Sequence, residues 1–260
     1  MKANMFRTVS GIMIYGLLLA CSVKEDRGEC PCRLMLDLSE VDTAVVKSLN
    51  LLVLSEDGYV ESDKIEVNDF SDTYVMNVPR EKLRVNLCSG EYEWTDSQGE
   101  IHIPYGCECP KLYMQSMVAD APGETWSAKV RLGKNHCRLT VMMEGSDAVP
   151  YSFTFKGNVA GYNVEGRPAI GDFSCVAYPE DEGSSYAMVP RQVDNSLMLE
   201  VDDGTRVVKT FALGEYIAAT GYDWTRNDLN DITVVIDYSI TYVKVSVSGW
   251  DGEYLYNIVL

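Results

Sequence analysis

The feature that most constrains this chain is a period of two. Leu83, Val85 and Leu87 alternate with Lys82, Arg84 and Asn86, and Val243, Val245 and Val247 alternate with Lys244, Ser246 and Ser248. Successive side chains of a strand point to opposite faces, so each run builds one apolar and one polar face, as a half-buried strand does. Further strand candidates lie at 33–38, 49–54, 74–78, 128–132, 138–143, 151–155, 197–201, 207–213 and 232–238. Asp57-Gly58, Asp203-Gly204 and Asp251-Gly252 supply the positive φ that tight hairpins need. No long segment after Cys21 keeps a helical period, and short helices are expected only at 42–48 and 225–229. The sequence therefore predicts an all-β chain, and its 260 residues exceed what one small core fills, so two domains are expected.

A coarse internal duplication divides it. Cys32-Arg-Leu-Met-Leu-Asp-Leu returns as Cys137-Arg-Leu-Thr-Val-Met-Met, and Leu87-Cys-Ser-Gly-Glu-Tyr-Glu-Trp94 is echoed by Leu213-Gly-Glu-Tyr216 followed by Tyr222-Asp-Trp224. The two halves would be tandem antiparallel β-sandwiches over 32–134 and 135–260, with the boundary near 133–136.

The start of the chain reads as an address. Lys2 and Arg7 precede the apolar run Gly11-Ile-Met-Ile-Tyr-Gly-Leu-Leu-Leu-Ala20, and Cys21 follows. That run is about half of what a bilayer-spanning helix needs, so residues 1–20 are expected to be a cleaved signal peptide. Leu18-Leu19-Ala20-Cys21 resembles the bacterial lipobox, in which the Cys thiol is acylated and becomes the new N-terminus. Two or three acyl chains hold a protein on a membrane almost permanently, so the chain would be tethered through Cys21, with residues 21–31 as the tether. Ser22-Val23-Lys24-Glu25-Asp26 resembles the acidic export signal of some Gram-negative anaerobes, and also suits a plain polar tether.

Seven cysteines remain once Cys21 is set aside. Cys30-Pro-Cys32 and Cys107-Glu-Cys109 form two C-x-C pairs, while Cys137 and Cys175 sit among apolar neighbours. An exported chain favours disulfides, so Cys30, Cys32, Cys107 and Cys109 are disulfide candidates joining the two regions; free thiols and a metal site stay as alternatives. Zinc usually takes C-x-x-C knuckles, and no metal or cofactor is expected.

Charge and motifs exclude several functions. The formal charge is −17, with 22 Lys+Arg against 39 Asp+Glu, and loss of Lys2 and Arg7 with the leader leaves −19. Such a chain cannot assemble the basic face that nucleic acid requires. The two histidines, His102 and His136, belong to no catalytic or zinc motif, and there is no G-x-S-x-G and no phosphate-cradling glycine loop, so no catalytic residue and no enzyme activity is expected. His136 adjoins Cys137, but neighbours in a strand face opposite ways. Asp223, Asn227, Asp228 and Asp231 have the composition of a calcium loop without its glycine or spacing. Trp94, Trp126, Trp224 and Trp250 are expected in the cores rather than on a sugar-binding platform.

With these features together, the chain resembles the FimB-like fimbrial anchor family. The resemblance rests on Cys21-Ser-Val-Lys-Glu-Asp-Arg-Gly-Glu-Cys-Pro-Cys32 and on Leu213-Gly-Glu-Tyr-Ile-Ala-Ala-Thr-Gly-Tyr-Asp-Trp-Thr225, and it spans the mature chain. It implies two transthyretin-like sandwich domains in a lipid-anchored, surface-exposed outer-membrane protein that tethers a strand-exchanged pilus shaft. Cys107 and Cys109 match no family pattern. Partners would be fimbrial shaft subunits joined by β-strand addition, with Tyr254, Tyr256, Ile258 and Leu260 of the last segment as donor-strand candidates; the same segment could instead close its own sheet. Alternative roles are a surface lipoprotein that binds glycans or a host ligand, or an adhesive pilus tip subunit.

Overall fold

The computed structural model describes residues 30–66, 73–89, 100–144, 152–180, 184–237, 242–249 and 252–259. The first half contributes β1 (Cys32–Asp37), β2 (Ser48–Ser55), β3 (Val60–Glu66), β4 (Thr73–Val78), β5 (Lys82–Ser89), β6 (Ile101–His102), β7 (Tyr113–Asp120), β8 (Thr125–Lys129) and β9 (Gly133–Lys134). The second contributes β10 (His136–Glu144), β11 (Ser152–Tyr162), β12 (Pro168–Ala177), β13 (Ser184–Pro190), β14 (Met198–Asp202), β15 (Val207–Phe211), helix α1 (Leu213–Ala219), β16 (Asp231–Asp237), β17 (Tyr242–Gly249) and β18 (Gly252–Val259).

The strands form two sandwiches. One pairs a sheet of order β4-β1-β8 with a sheet of order β3-β2-β5-β7-β9. Its core comes from both inner faces, with Leu34 and Leu36 of β1 against Leu49, Leu51 and Val53 of β2 and Leu83, Val85 and Leu87 of β5, all essentially inaccessible. The other pairs β13-β10-β16-β17-β18 with β12-β11-β14-β15. Leu139, Val141, Ile232 and Val234 there meet Phe153, Phe155, Phe173, Leu199 and Phe211. Each such side chain contributes about 1.5–3 kcal/mol on burial, which is what the period-two pattern provides for.

The topology is duplicated. The orders β4-β1-β8 and β3-β2-β5-β7 map strand for strand onto β13-β10-β16 and β12-β11-β14-β15. Cys32 lies opposite Val78 and Cys137 opposite Val189, and Leu34 and Leu139 are the matching core residues two positions on. The Cys32/Cys137 echo is therefore a structural equivalence. The other echo is not: Leu87 lies in β5, whose counterpart is β14, whereas Leu213 opens the helix after β15. One further difference concerns strand direction. β1 pairs in parallel with β8 and β10 in parallel with β16, so each sandwich carries one parallel pair in an otherwise antiparallel arrangement. Parallel neighbours need a long crossover, and the opposite sheet supplies it.

Turns and helices divide similarly. Gly58 and Gly204 take φ of 92° and 91° in the β2–β3 and β14–β15 turns, as Asp-Gly hairpins require, while the Asp251-Gly252 turn lies partly outside the described residues. The segments 42–48 and 225–229 are turns rather than helices. The Asp42 carboxylate accepts the Ala44 amide at 2.9 Å, and Asp223 rather than Thr225 caps its loop, accepting the Thr225 amide and hydroxyl at 2.8 and 2.7 Å. Among the described residues no helix is long and apolar enough to cross a membrane.

Candidate functional site

Cys21 and the leader lie outside the described residues. The described chain begins at Cys30, which is exposed, and enters the fold at Cys32, the buried first residue of β1. β1 is the central strand of its sheet, paired on both sides. The Arg33 amide donates to the Glu124 carbonyl at 2.8 Å, and the Val130 amide donates to the Asp37 carbonyl at 2.9 Å. Whatever pulls on the N-terminus therefore pulls on a strand bonded on both sides within the first sandwich.

At the other end of the chain, Tyr254, Tyr256 and Ile258 belong to β18 and lie opposite Val247, Val245 and Val243 of β17; Leu260 lies outside the described residues. The last segment thus closes its own sheet. Among the described residues β18 is the outermost strand there, with one edge unpaired. An unpaired edge is a row of free backbone donors and acceptors, the template for strand addition. Among the described residues the β17–β18 hairpin has no counterpart in the first sandwich, whose shorter sheet ends at β8.

The structure does not bring the two C-x-C pairs together. Cys30 and Cys107 are exposed, Cys32 is packed in the first core and Cys109 in the second, and all seven described cysteines are free thiols here. Burial pushes the Cys88, Cys137 and Cys175 thiols up to about 12 and Cys109 higher still, which makes them poor nucleophiles and poor metal ligands. Among the described residues no group of three or more His, Cys, Asp or Glu is placed to hold a metal ion. His102 is exposed in β6. His136 is buried, its Nδ1 lies 3.1 Å from the Leu112 carbonyl, and its ring meets Tyr113 edge-on at 5.2 Å; burial lowers its pKa to about 4. It is a neutral core group.

The junction between the sandwiches is the feature that sequence reasoning missed. Residues 100–112 leave the first half and cross to the second, where β6 pairs with Gly161 and Tyr162 of β11. The strap continues along the second sandwich: the Ile103 amide donates to Ala160 at 2.7 Å, that of Gly106 to Ser174 at 2.8 Å and that of Cys109 to Met188 at 2.9 Å. Cys88, Ile101, Leu112, Met114 and Tyr162 form a third apolar cluster between the two cores. Across the same boundary, Asn86 Nδ2 donates to the Val164 carbonyl at 2.9 Å and Arg84 pairs with Glu165 at 3.4 Å.

Arg191 completes this weld. All five of its guanidinium N–H donors are engaged: Nε with Asn135 Oδ1 at 3.0 Å, Nη1 with the Trp224 and Arg226 carbonyls, and Nη2 with the Lys134 and Asn227 carbonyls. Its own amide donates to the Tyr162 hydroxyl at 3.0 Å, and that hydroxyl donates to the Asn135 carbonyl. The segment 213–225 is explained here. α1 buries Leu213 and Ile217, Gly214 sits so close to the Asn195 carbonyl that no Cβ fits, and Gly221, at φ 76°, turns the chain out after Thr220. The Tyr222 hydroxyl then donates to the Asn230 carbonyl at 2.7 Å, and Trp224 delivers its carbonyl to Arg191. Trp126 and Trp224 pack partly buried against the first and second cores; Trp94 and Trp250 lie outside the described residues.

No protein-family model and no curated protein matches the sequence. Solved structures do. The fimbrial anchor protein Mfa2 of Porphyromonas gingivalis superposes with a TM-score of 0.58 at 14% identity, over 85% of this chain and 98% of that one. The chain shares the fold of a fimbrial anchor. A Bacteroides thetaiotaomicron protein proposed to bind polysaccharide matches with a TM-score of 0.63 at 12% identity, over 87% of this chain and 98% of that one. A proposed adhesin from Bacteroides ovatus matches with a TM-score of 0.56 at 15% identity, over 90% and 97%. Each correspondence spans both sandwiches, so it is the tandem arrangement that is shared.

Proposed function

We propose that the chain is a fimbrial anchor or minor subunit: an outer-membrane lipoprotein, exposed at the cell surface, that tethers a strand-exchanged pilus shaft. The observation that carries this reading is the correspondence with Mfa2 over nearly all of that protein's length. The N-terminal sequence supports it, since a lipobox ending at Cys21 puts the acyl group nine residues before Cys30, a reach of about 30 Å for an extended tether. Tension on that tether enters β1 along its axis, where bonds to β4 and β8 must shear together rather than unzip one at a time. The open edge of β18 is the natural attachment point for the shaft, through main-chain hydrogen bonds to a strand of the neighbouring subunit. The tether and the weld would then carry the load from that edge to the membrane.

The test is a Cys21→Ala substitution in the native cell. The wild-type chain is expected to take up fatty-acid label and to fractionate with outer membranes. The variant should lose the label, and fibres should be shed into the medium. A variant chain that stays with the envelope while fibres remain attached would refute the anchor reading.

A further inference from the structure

We propose that the groove between the two sandwiches binds a carboxylate-bearing saccharide. The groove encloses about 740 Å³ and is walled by β7, the β11–β12 hairpin, and the loops 191–193 and 224–227. That volume lies within the range of small-ligand sites. Its charge runs against that of the protein. Arg131, Arg167, Arg191 and Arg226, four of the chain's eleven arginines, line it beside a single carboxylate, Glu165, although the whole chain carries −17.

The four guanidinium groups differ in availability. Arg191 spends every donor on the frame and holds the 224–227 loop open in a fixed shape. Arg226 is exposed, and its guanidinium makes no hydrogen bond or ion pair among the described residues. Arg167 pairs with Glu165 at 3.2 Å and Arg131 with Glu40 at 2.7 Å, both at the surface with side chains 77% and 68% accessible. Exposed pairs of this kind are weak, and a ligand carboxylate offering the bidentate geometry that guanidinium prefers can compete for them. Among the described residues the other nearby acids make no ion pair with Arg226, although Asp223 lies within electrostatic reach of it. Asp223 accepts from Thr225, and Asp228 accepts the Lys134 amide at 3.0 Å.

The remaining lining favours a sugar over an acidic peptide. Gln115, Thr225 and Asn227 offer neutral donors and acceptors suited to hydroxyl groups, and the partly exposed Trp224 offers an aromatic wall for a pyranose face. The walls of the second sandwich are loop and hairpin-tip residues, 165–168, 191–193 and 224–227, so a peptide finds no sheet edge on that side, and the β7 wall, unpaired beyond Met114 among the described residues, is the edge that the triglutamate arm of the test probes. The groove is also too short and local to track a polyphosphate backbone, which the overall charge repels.

The test is calorimetric titration of the full-length chain in detergent. The probes are trisaccharides containing glucuronate, galacturonate or sialic acid, neutral trisaccharides of matched length, and a triglutamate peptide. At least one acidic trisaccharide is expected to bind, with affinity falling at least tenfold in Arg167→Ala/Arg226→Ala and recovering in part in Arg167→Lys/Arg226→Lys. Arg206→Ala, on the distant β14–β15 turn, should leave binding unchanged, and unfolding temperatures of all variants should match the wild type. Binding of none of the acidic sugars, equal binding of the neutral ones, equal or tighter binding of triglutamate, or unchanged binding by the double alanine variant would each overturn the proposal. The outcome is independent of Cys21 and of β18.

Discussion

His136 ties the stability of the weld to pH. It begins β10, directly after the Lys134-Asn135 link that Arg191 grips, and it faces the Leu112 carbonyl of the strap. Burial holds its pKa at about 4, against 6.5 for an unperturbed imidazole. Below 6.5 the unfolded chain binds a proton that the folded chain refuses, so stability falls as pH drops from about 6.5 toward about 4, and levels off below that. The full gap of about 2.5 units is worth about 3 kcal/mol, and about 2 kcal/mol of it is lost between about pH 7.5 and pH 5. Other shifted groups leave that window clear. Hydrogen bonds from Ser39, Ser196, Thr205 and Thr225 hold Asp37, Asp194, Asp203 and Asp223 below the usual carboxylate range, and Arg131 does the same for Glu40. The stability these carboxylates contribute is present above about pH 4 and is lost only as pH falls through their lowered values. Urea unfolding of the wild type and of His136→Gln, which keeps a donor for Leu112 without titrating, separates the contributions. The wild type should lose about 2 kcal/mol between the two pH values, and the variant should lose little. An equal loss in both proteins would refute the assignment of this slope to His136.

Two further outcomes are expected. Gly161→Ala puts a methyl group against the Ile101 carbonyl, where no Cβ fits, and crowds His102 Cα at 3.2 Å, so β6 must leave β11. The loss should be about 2–4 kcal/mol, with the amides of Ile103, Gly106 and Cys109 exchanging about 100-fold faster; unchanged protection would mean that the strap is not held there. For the cysteines, among the seven described ones a reduced native sample should give two fast-reacting thiols with Ellman's reagent, Cys30 and Cys107, and all seven once unfolded. Five or more fast thiols in the folded protein would contradict the burial of Cys32, Cys88, Cys109, Cys137 and Cys175.

What the sequence made legible follows from where burial is one-sided. β1, β10 and β16 alternate because one face packs on a core, and all three stand out as period-two runs. β3 does not: five of the seven residues in Val-Glu-Ser-Asp-Lys-Ile-Glu are exposed in a row, so an edge strand with almost no inward side chain leaves no period to detect. α1 is hidden for the opposite reason. Seven residues with Leu213 and Ile217 inward supply a single i,i+4 pair, too little to distinguish a helix from a strand end. Arg191 could not be found at all, because its acceptors are four backbone carbonyls and one Asn oxygen from two distant stretches of chain. Carbonyls are present at every residue, so no spacing marks the ones that a guanidinium will gather.

The duplication separates what folding requires from what it leaves free. Where the two sandwiches agree, as at Cys32, Leu34 and Leu36 against Cys137, Leu139 and Val141, the residues are accounted for by core packing alone. The asymmetries need another account, and there are two large ones. In the second sandwich a short turn at 203–206 joins β14 to β15, whereas the equivalent connection from β5 to β7 runs over 90–112 and buries Ile101, Ile103, Cys109 and Leu112 against the other unit. The second sandwich in turn adds β17 and β18 beyond the last shared strand. A chain of two sandwiches joined only at residue 135 would hinge there under tension. One welded by the strap, by Tyr162 and by the five bonds of Arg191 resists that motion, because hinging must break them together. A stiff link between β1 and the open edge of β18 is what the proposed mechanical attachment would need, and independent folding of either sandwich does not demand it.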